Sequence, residues 1–168
     1  MAAMNEAIRR YQQGMGQISM RPDSGIKQKQ SIGDNMKNRS NVYQQYRQNT
    51  INTSSPQELT MMLYNGLVRF LKLAHEGIEE KNIEKANNFI IRSQNIINEF
   101  MCTLDMQYEI SNGLYLQYEY MNRRLLDANV KKDKAIVEEV IGYAEELRDT
   151  WSEAMKLAKQ QAAADLRT

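Results

Sequence analysis

The chain holds one cysteine and one histidine in 168 residues, and no apolar run approaches the roughly 18 residues of a membrane-spanning helix. Cys102 therefore has no internal disulfide partner, which fits a reducing compartment. It falls in an apolar helical run, where a buried structural thiol is expected. His75 has Lys72 three residues before it, so the Glu-x-x-His pairs of a di-iron bundle are missing. One His with one Cys does not make a tetrahedral zinc site either. No glycine-rich phosphate loop follows a strand, and neither a nucleophile elbow nor a Cys/His dyad occurs at a recognisable spacing. The paired carboxylates Glu79-Glu80 and Glu145-Glu146 read as solvated faces. An enzyme is the weakest reading, and no metal or cofactor is called for. The amino terminus lacks a signal-peptide core, so a soluble cytoplasmic protein without membrane insertion is expected.

An excess of either charge is also missing. With 22 Lys and Arg against 21 Asp and Glu, neither a globally basic nucleic-acid binder nor an acidic tail is indicated. The balance hides an asymmetry, because residues 1–40 carry 7 basic against 3 acidic side chains and residues 41–168 carry 15 against 18. Opposite signs favour weak, salt-screened docking of one part on the other. Lys131-Lys132-x-Lys134 and Arg123-Arg124 are local basic clusters, with Tyr115, Tyr118 and Tyr120 nearby. The phosphate term needs a concentrated positive surface, so residues 131–134 read as an exposed interhelical turn.

What is abundant is helical signal. Residues 53–66 join a start signal to an apolar stripe: Ser55 and Glu58 can satisfy each other's backbone amides, and Pro56 occupies the first helical position. From 56 to about 80, Leu59, Met62, Leu63, Leu67, Phe70, Leu71, Ala74 and Ile78 recur at i, i+3, i+4 spacing, and Met61, Tyr64 and Val68 widen the stripe. Asn65-Gly66 lies inside this unbroken pattern and is assigned to helix. A mid-helix glycine costs about 1 kcal/mol relative to alanine, which suggests that another backbone passes close to Gly66. Asn82 caps a second helix reaching about 104, with Ala86, Phe89, Ile90, Ser93, Ile97, Phe100, Met101 and Leu104 as its stripe and Ile83, Ile91 and Ile96 flanking. Residues 105–112 form the next connection, with Ser111 as cap. Leu114, Tyr118, Met121, Leu125 and Ala128 mark a third helix ending near Asn129. Asp133 caps a fourth, carrying Ile136, Val137, Val140, Ile141, Ala144, Leu147, Trp151, Met155 and Ala158.

Four such helices with short connections predict an all-α fold, an antiparallel four-helix bundle over 56–160, with an extended or short-helical segment before it and a tail at 161–168. Residues 1–40, punctuated by Gly14, Gly16, Pro22, Gly25 and Gly33, read as a flexible basic arm. The 11 methionines and 9 tyrosines, together with apolar side chains beyond one stripe per helix, favour protein recognition. Thioethers repack around a partner, and tyrosine offers area with a satisfied hydroxyl.

Several motifs in this order resemble the flagellar secretion chaperone family FliS: Tyr46-x-Gln48-x-x-Ile51-x-Thr53-x-Ser55-Pro56, Met62-Leu63-Tyr64-Asn65-Gly66, Met106-Gln107-Tyr108-Glu109-Ile110, Tyr118-x-Tyr120-Met121-x-Arg123-Arg124-Leu125-x-x-Ala128-Asn129, and Leu147-Arg148-Asp149-Thr150-Trp151. The resemblance covers about 41–159. It implies a cytoplasmic export chaperone for the C-terminal segment of flagellin, preventing premature polymerisation and keeping the client competent for flagellar type III secretion. An export-gate component and other flagellar regulators are further implied partners. It also implies a lid-like segment at 41–55 that covers part of the client groove when no client is bound. Carried over by position, Tyr43, Tyr46 and Ile51 are the lid residues, and Tyr64, Tyr118, Met121 and Asn129 are client contacts, with core packing as the alternative for those four. Residues 1–40 match nothing in the family pattern; a longer lid, a tail, an expression-derived segment and a fused piece of a partner remain open. The alternative function is a helical-bundle adaptor for another protein or for nucleic acid.

Overall fold

The computed structural model describes residues 54–165; the expected arm and nearly all of the lid-like segment lie outside them. The described residues form four helices and no strand: α1 (Pro56–Glu79), α2 (Ile83–Thr103), α3 (Glu109–Lys131) and α4 (Lys134–Asp165). The chain divides into two units, Met1–Leu59 and Thr60–Thr168, so α1 starts in the first and continues through the second. Its start is the expected reciprocal cap: the Ser55 amide donates to Glu58 Oε2 at 2.9 Å, and the Glu58 amide donates to Ser55 Oγ at 3.3 Å.

The α1–α2 turn closes when Asn82 N–H donates to the Gly77 carbonyl at 2.8 Å, with Lys81 in the left-handed region at φ 56°. Asn82 Oδ1 then accepts from the Lys85 amide at 3.0 Å, as the sequence predicts for the α2 cap. A close backbone approach is found at Gly77, where a Cβ would stand 2.8 Å from the Ala86 nitrogen. Gly66, for which such an approach was expected, is buried.

Two local expectations are corrected. Ser111 does not cap α3; the helix starts earlier, with Tyr108 at the cap position and no side-chain cap bond. Ser111 is buried in the first turn, and its hydroxyl donates to the Asp105 carbonyl at 2.6 Å. Asp105 also accepts from the Gln107 amide at 3.0 Å, so an Asx turn tied to Ser111 organises the connection instead. Cys102 is exposed rather than buried, because it lies opposite the core-facing row Ala86, Ile90, Ser93, Ile97 and Phe100 of α2.

The interior of Thr60–Thr168 is built from side chains three or four residues apart on each helix: Leu67, Leu71 and Ala74; Ala86, Ile90, Ser93 and Ile97; Met121, Leu125 and Ala128; Val137, Val140 and Ala144. Contacts between helices run in opposite directions along the chain, which makes the bundle antiparallel. Phe70 meets Phe89 and Tyr64 meets Phe100, while Glu79 pairs with Lys134 and Lys72 with Glu145. Tyr120 meets Tyr143, and Arg124 pairs with Glu139. Each helix hides its stripe against the others, as helices of this length must to persist in water.

Candidate functional site

Each helix sends one aromatic side chain to a common cluster. Tyr64 of α1 lies 4.5 Å from Phe100 of α2 and 6.4 Å from Trp151 of α4, and Phe100 stacks at 5.3 Å on Tyr118 of α3. The Tyr64 and Tyr118 hydroxyls share a buried hydrogen bond of 2.5 Å. Burial, reinforced by the neighbouring Tyr118, pushes the Tyr64 phenol well above its ordinary range, and burial also raises Tyr118. Two neutral phenols bonded to each other supply no base at physiological pH; they join an oily cluster without leaving a polar group unpaired.

This pair makes a test. Tyr64→Phe leaves the Tyr118 hydroxyl buried without its partner and is expected to cost about 1–3 kcal/mol, whereas Tyr64→Phe with Tyr118→Phe costs less than the two single changes together. The sign with pH follows from the raised phenols. The contribution is fully present below about pH 10 and is lost as pH rises further, because the unfolded chain then releases protons that the folded chain keeps. Urea midpoints between pH 8 and 11 should stay level and then fall, with a smaller fall in the double variant.

A second feature lies along the α2–α3 seam. Asn129 Nδ2 donates to Asn87 Oδ1 and Asn122 Nδ2 to Asn98 Oδ1, both at 2.8 Å, and Gln94 Nε2 reaches the Asn122 carbonyl at 3.4 Å. Between these amide links in sequence, Ile91 is 44% exposed and Leu126 57%. Val130, Leu116 and Tyr115 are also exposed on α3, as are Met106 and Tyr108 in the α2–α3 connection and Ile110 in the first turn of α3. The surplus predicted for α1 is instead taken inside: Tyr64 and Val68 are buried, and Met61 is half-buried.

Among the residues expected at the site, Tyr43, Tyr46 and Ile51 lie outside the described residues. Tyr64, Tyr118 and Met121 are interior, with exposures of 4%, 3% and 0%. Asn129 is half-buried in the seam, where its side chain and carbonyl also accept from Lys132 Nζ. The structure thus brings Tyr64 and Tyr118 together and sets Asn129 apart from them. Phe100 was read from the sequence only as a stripe residue, and Trp151 as a stripe residue within a family motif; an aromatic on every core stripe was the available signal.

The basic clusters are largely engaged. Lys134 pairs with Glu79 and Arg123 with Glu119. Arg124 binds Glu139, whose carboxyl is held below its ordinary range by Arg124 and by the Tyr120 hydroxyl. Such pairing leaves little concentrated positive surface for phosphate. Among the described residues, no cluster of three or more His, Cys, Asp or Glu is placed to hold a metal, and no helix is long and apolar enough to cross a membrane.

Residues 39–158 match the family model described as flagellar protein FliS. The chain is 44% identical over 116 residues to the flagellar secretion chaperone FliS of Bacillus subtilis, covering 69% of this chain and 87% of the relative. It is 33% identical over 114 residues to the protein of that name from Campylobacter jejuni, covering 67% and 89%. A solved structure titled as a flagellar chaperone from bacteria shares the fold with a TM-score of 0.57 at 18% identity, covering 70% of this chain and 97% of that one.

Proposed function

Because this chain belongs to the FliS family, we propose that it is a flagellar export chaperone whose client is the unfolded C-terminal segment of flagellin, bound in the cytoplasm before secretion. The observation that carries the reading is the exposed apolar set on α2, α3 and their connection, within the stretch matched by the family model. Apolar side chains left outside a completed core offer area to a partner. A disordered client spreads its own apolar residues over such a surface while its ordering cost keeps the complex releasable at an export gate. Amide links flanking Ile91 and Leu126 suit a client whose backbone is not yet hydrogen-bonded. Tyr43, Tyr46 and Ile51 are proposed as a lid competing for this surface, with Asn129 as a client contact.

Isothermal titration with a flagellin C-terminal peptide is expected to show binding with a negative heat-capacity change. Ile91→Asp with Leu126→Asp should weaken it at least about tenfold while leaving the thermal melt in place, since both side chains are exposed. Removal of residues 1–52 should preserve or tighten binding. No heat at any temperature, with native mass spectrometry also blank, would remove the flagellin reading.

A further inference from the structure

The two parts of α4 are held differently. Its buried residues are Ile136, Val137, Val140 and Ala144; from 145 to 165 none is buried, and 156–165 are exposed on every face. Leu147, Trp151 and Met155, spaced i, i+4, i+8, are half-buried, and Leu157 is 54% exposed. Half-buried side chains, with Arg148 and Ser152 beside these three, are this part's share in the packing. The Lys72–Glu145 pair at its start is itself solvent-exposed, and exposed pairs contribute little. A helix of this length has marginal stability without packing. The side chain beneath it is not loosely held: Tyr64, 4% exposed, lies under Trp151 with Phe100 and Tyr118 behind.

We infer that α4 beyond Ala144 is a displaceable cover, and that the Tyr64, Phe100 and Tyr118 cluster beneath it is a pocket for apolar side chains of the client. The proposal rests on the chaperone reading and gives it a second binding element. What leaves is an amphipathic half-helix with large residues four apart, so what takes its place is an amphipathic client segment able to form a helix with apolar residues at that spacing. The pocket walls are aromatic rings, and their two hydroxyls already bond each other, so the client side chains that fit are uncharged and bulky. This also accounts for Tyr64 and Tyr118 as client residues that are buried in the free protein. Opening has a free-energy cost, so the client's apparent affinity is reduced by the fraction of molecules open at any moment.

Hydrogen exchange on the free full-length protein tests the cover without any client. Amides of 147–165 should exchange at least about 100-fold faster than those of 136–144; equal protection along α4 would overturn the proposal. The chain has a single tryptophan, which reports on the pocket. On adding the flagellin C-terminal peptide, Trp151 emission should shift to the red and its acrylamide quenching constant should rise at least about twofold, since local opening brings it into water. Peptide binding seen by calorimetry with Trp151 emission and quenching unchanged would overturn the pocket while leaving the chaperone reading intact. Absence of peptide binding strikes the chaperone reading and with it the client pocket, and exchange then decides the cover alone.

Discussion

Phe100→Ala is expected to lower the unfolding free energy by about 3–5 kcal/mol, read as a fall in urea midpoint with an unchanged slope. Phe100 is 5% exposed and touches Tyr64 at 4.5 Å and Tyr118 at 5.3 Å. Truncation therefore removes a ring on which side chains from two other helices rest, and the void cannot collapse without moving the hydroxyl pair those rings carry. A cavity lined by rings tied to each other relaxes poorly, which places the cost toward the upper part of the range for this substitution. Ile91→Ala, on the exposed face of the same helix, should change the unfolding free energy by no more than about 0.5 kcal/mol. Equal effects from the two would mean that Phe100 is not at the junction of three helices.

That contrast also shows how far the sequence could be read. Buried stripes were legible because they repeat at helical spacing: Leu63, Leu67, Leu71 and Ala74 on α1 are interior as predicted. The caps at Ser55 and Asn82 were legible because their chemistry is local. Ser111 was not, since its hydroxyl serves a carbonyl six residues back, a bond formed only once the connection has folded. Cys102 was misplaced because an apolar run shows that one face is buried without showing which residues lie off it. At the candidate site, the motifs singled out Tyr64 and Tyr118, but their mutual bond joins residues 54 apart in sequence and needs the bundle to be seen. Which of the surplus apolar residues stay outside was equally a tertiary matter: Tyr64 and Val68 of α1 and Ile96 of α2 went in, while Ile91 of α2 and Tyr115 of α3 remained out.

Three glycines in helices test the close approach of α1 and α2 against their own controls. A Cβ at Gly77 would lie 2.8 Å from the Ala86 nitrogen and 3.1 Å from its Cα, both backbone atoms that cannot swing aside, whereas at Gly113 and Gly142 nothing lies within 4 Å. Gly113→Ala and Gly142→Ala are therefore expected to stabilise by about 0.5–1 kcal/mol, the helix propensity that alanine brings. Gly77→Ala receives the same propensity gain but must push α1 and α2 apart at their turn, an overpacking cost of about 1–3 kcal/mol. Gly77→Val adds further atoms and the poorer helix propensity of a β-branched side chain, so its loss should reach about 3 kcal/mol or more. The separation would act where Asn82 N–H meets the Gly77 carbonyl at 2.8 Å and where Lys85 bridges Glu76 and Glu80, loosening the hairpin at the end from which α1 and α2 pair. Chemical denaturation of the four variants side by side settles it: a gain for Gly77→Ala equal to the gains at Gly113 and Gly142 would show that the two helices have room to spare at that turn.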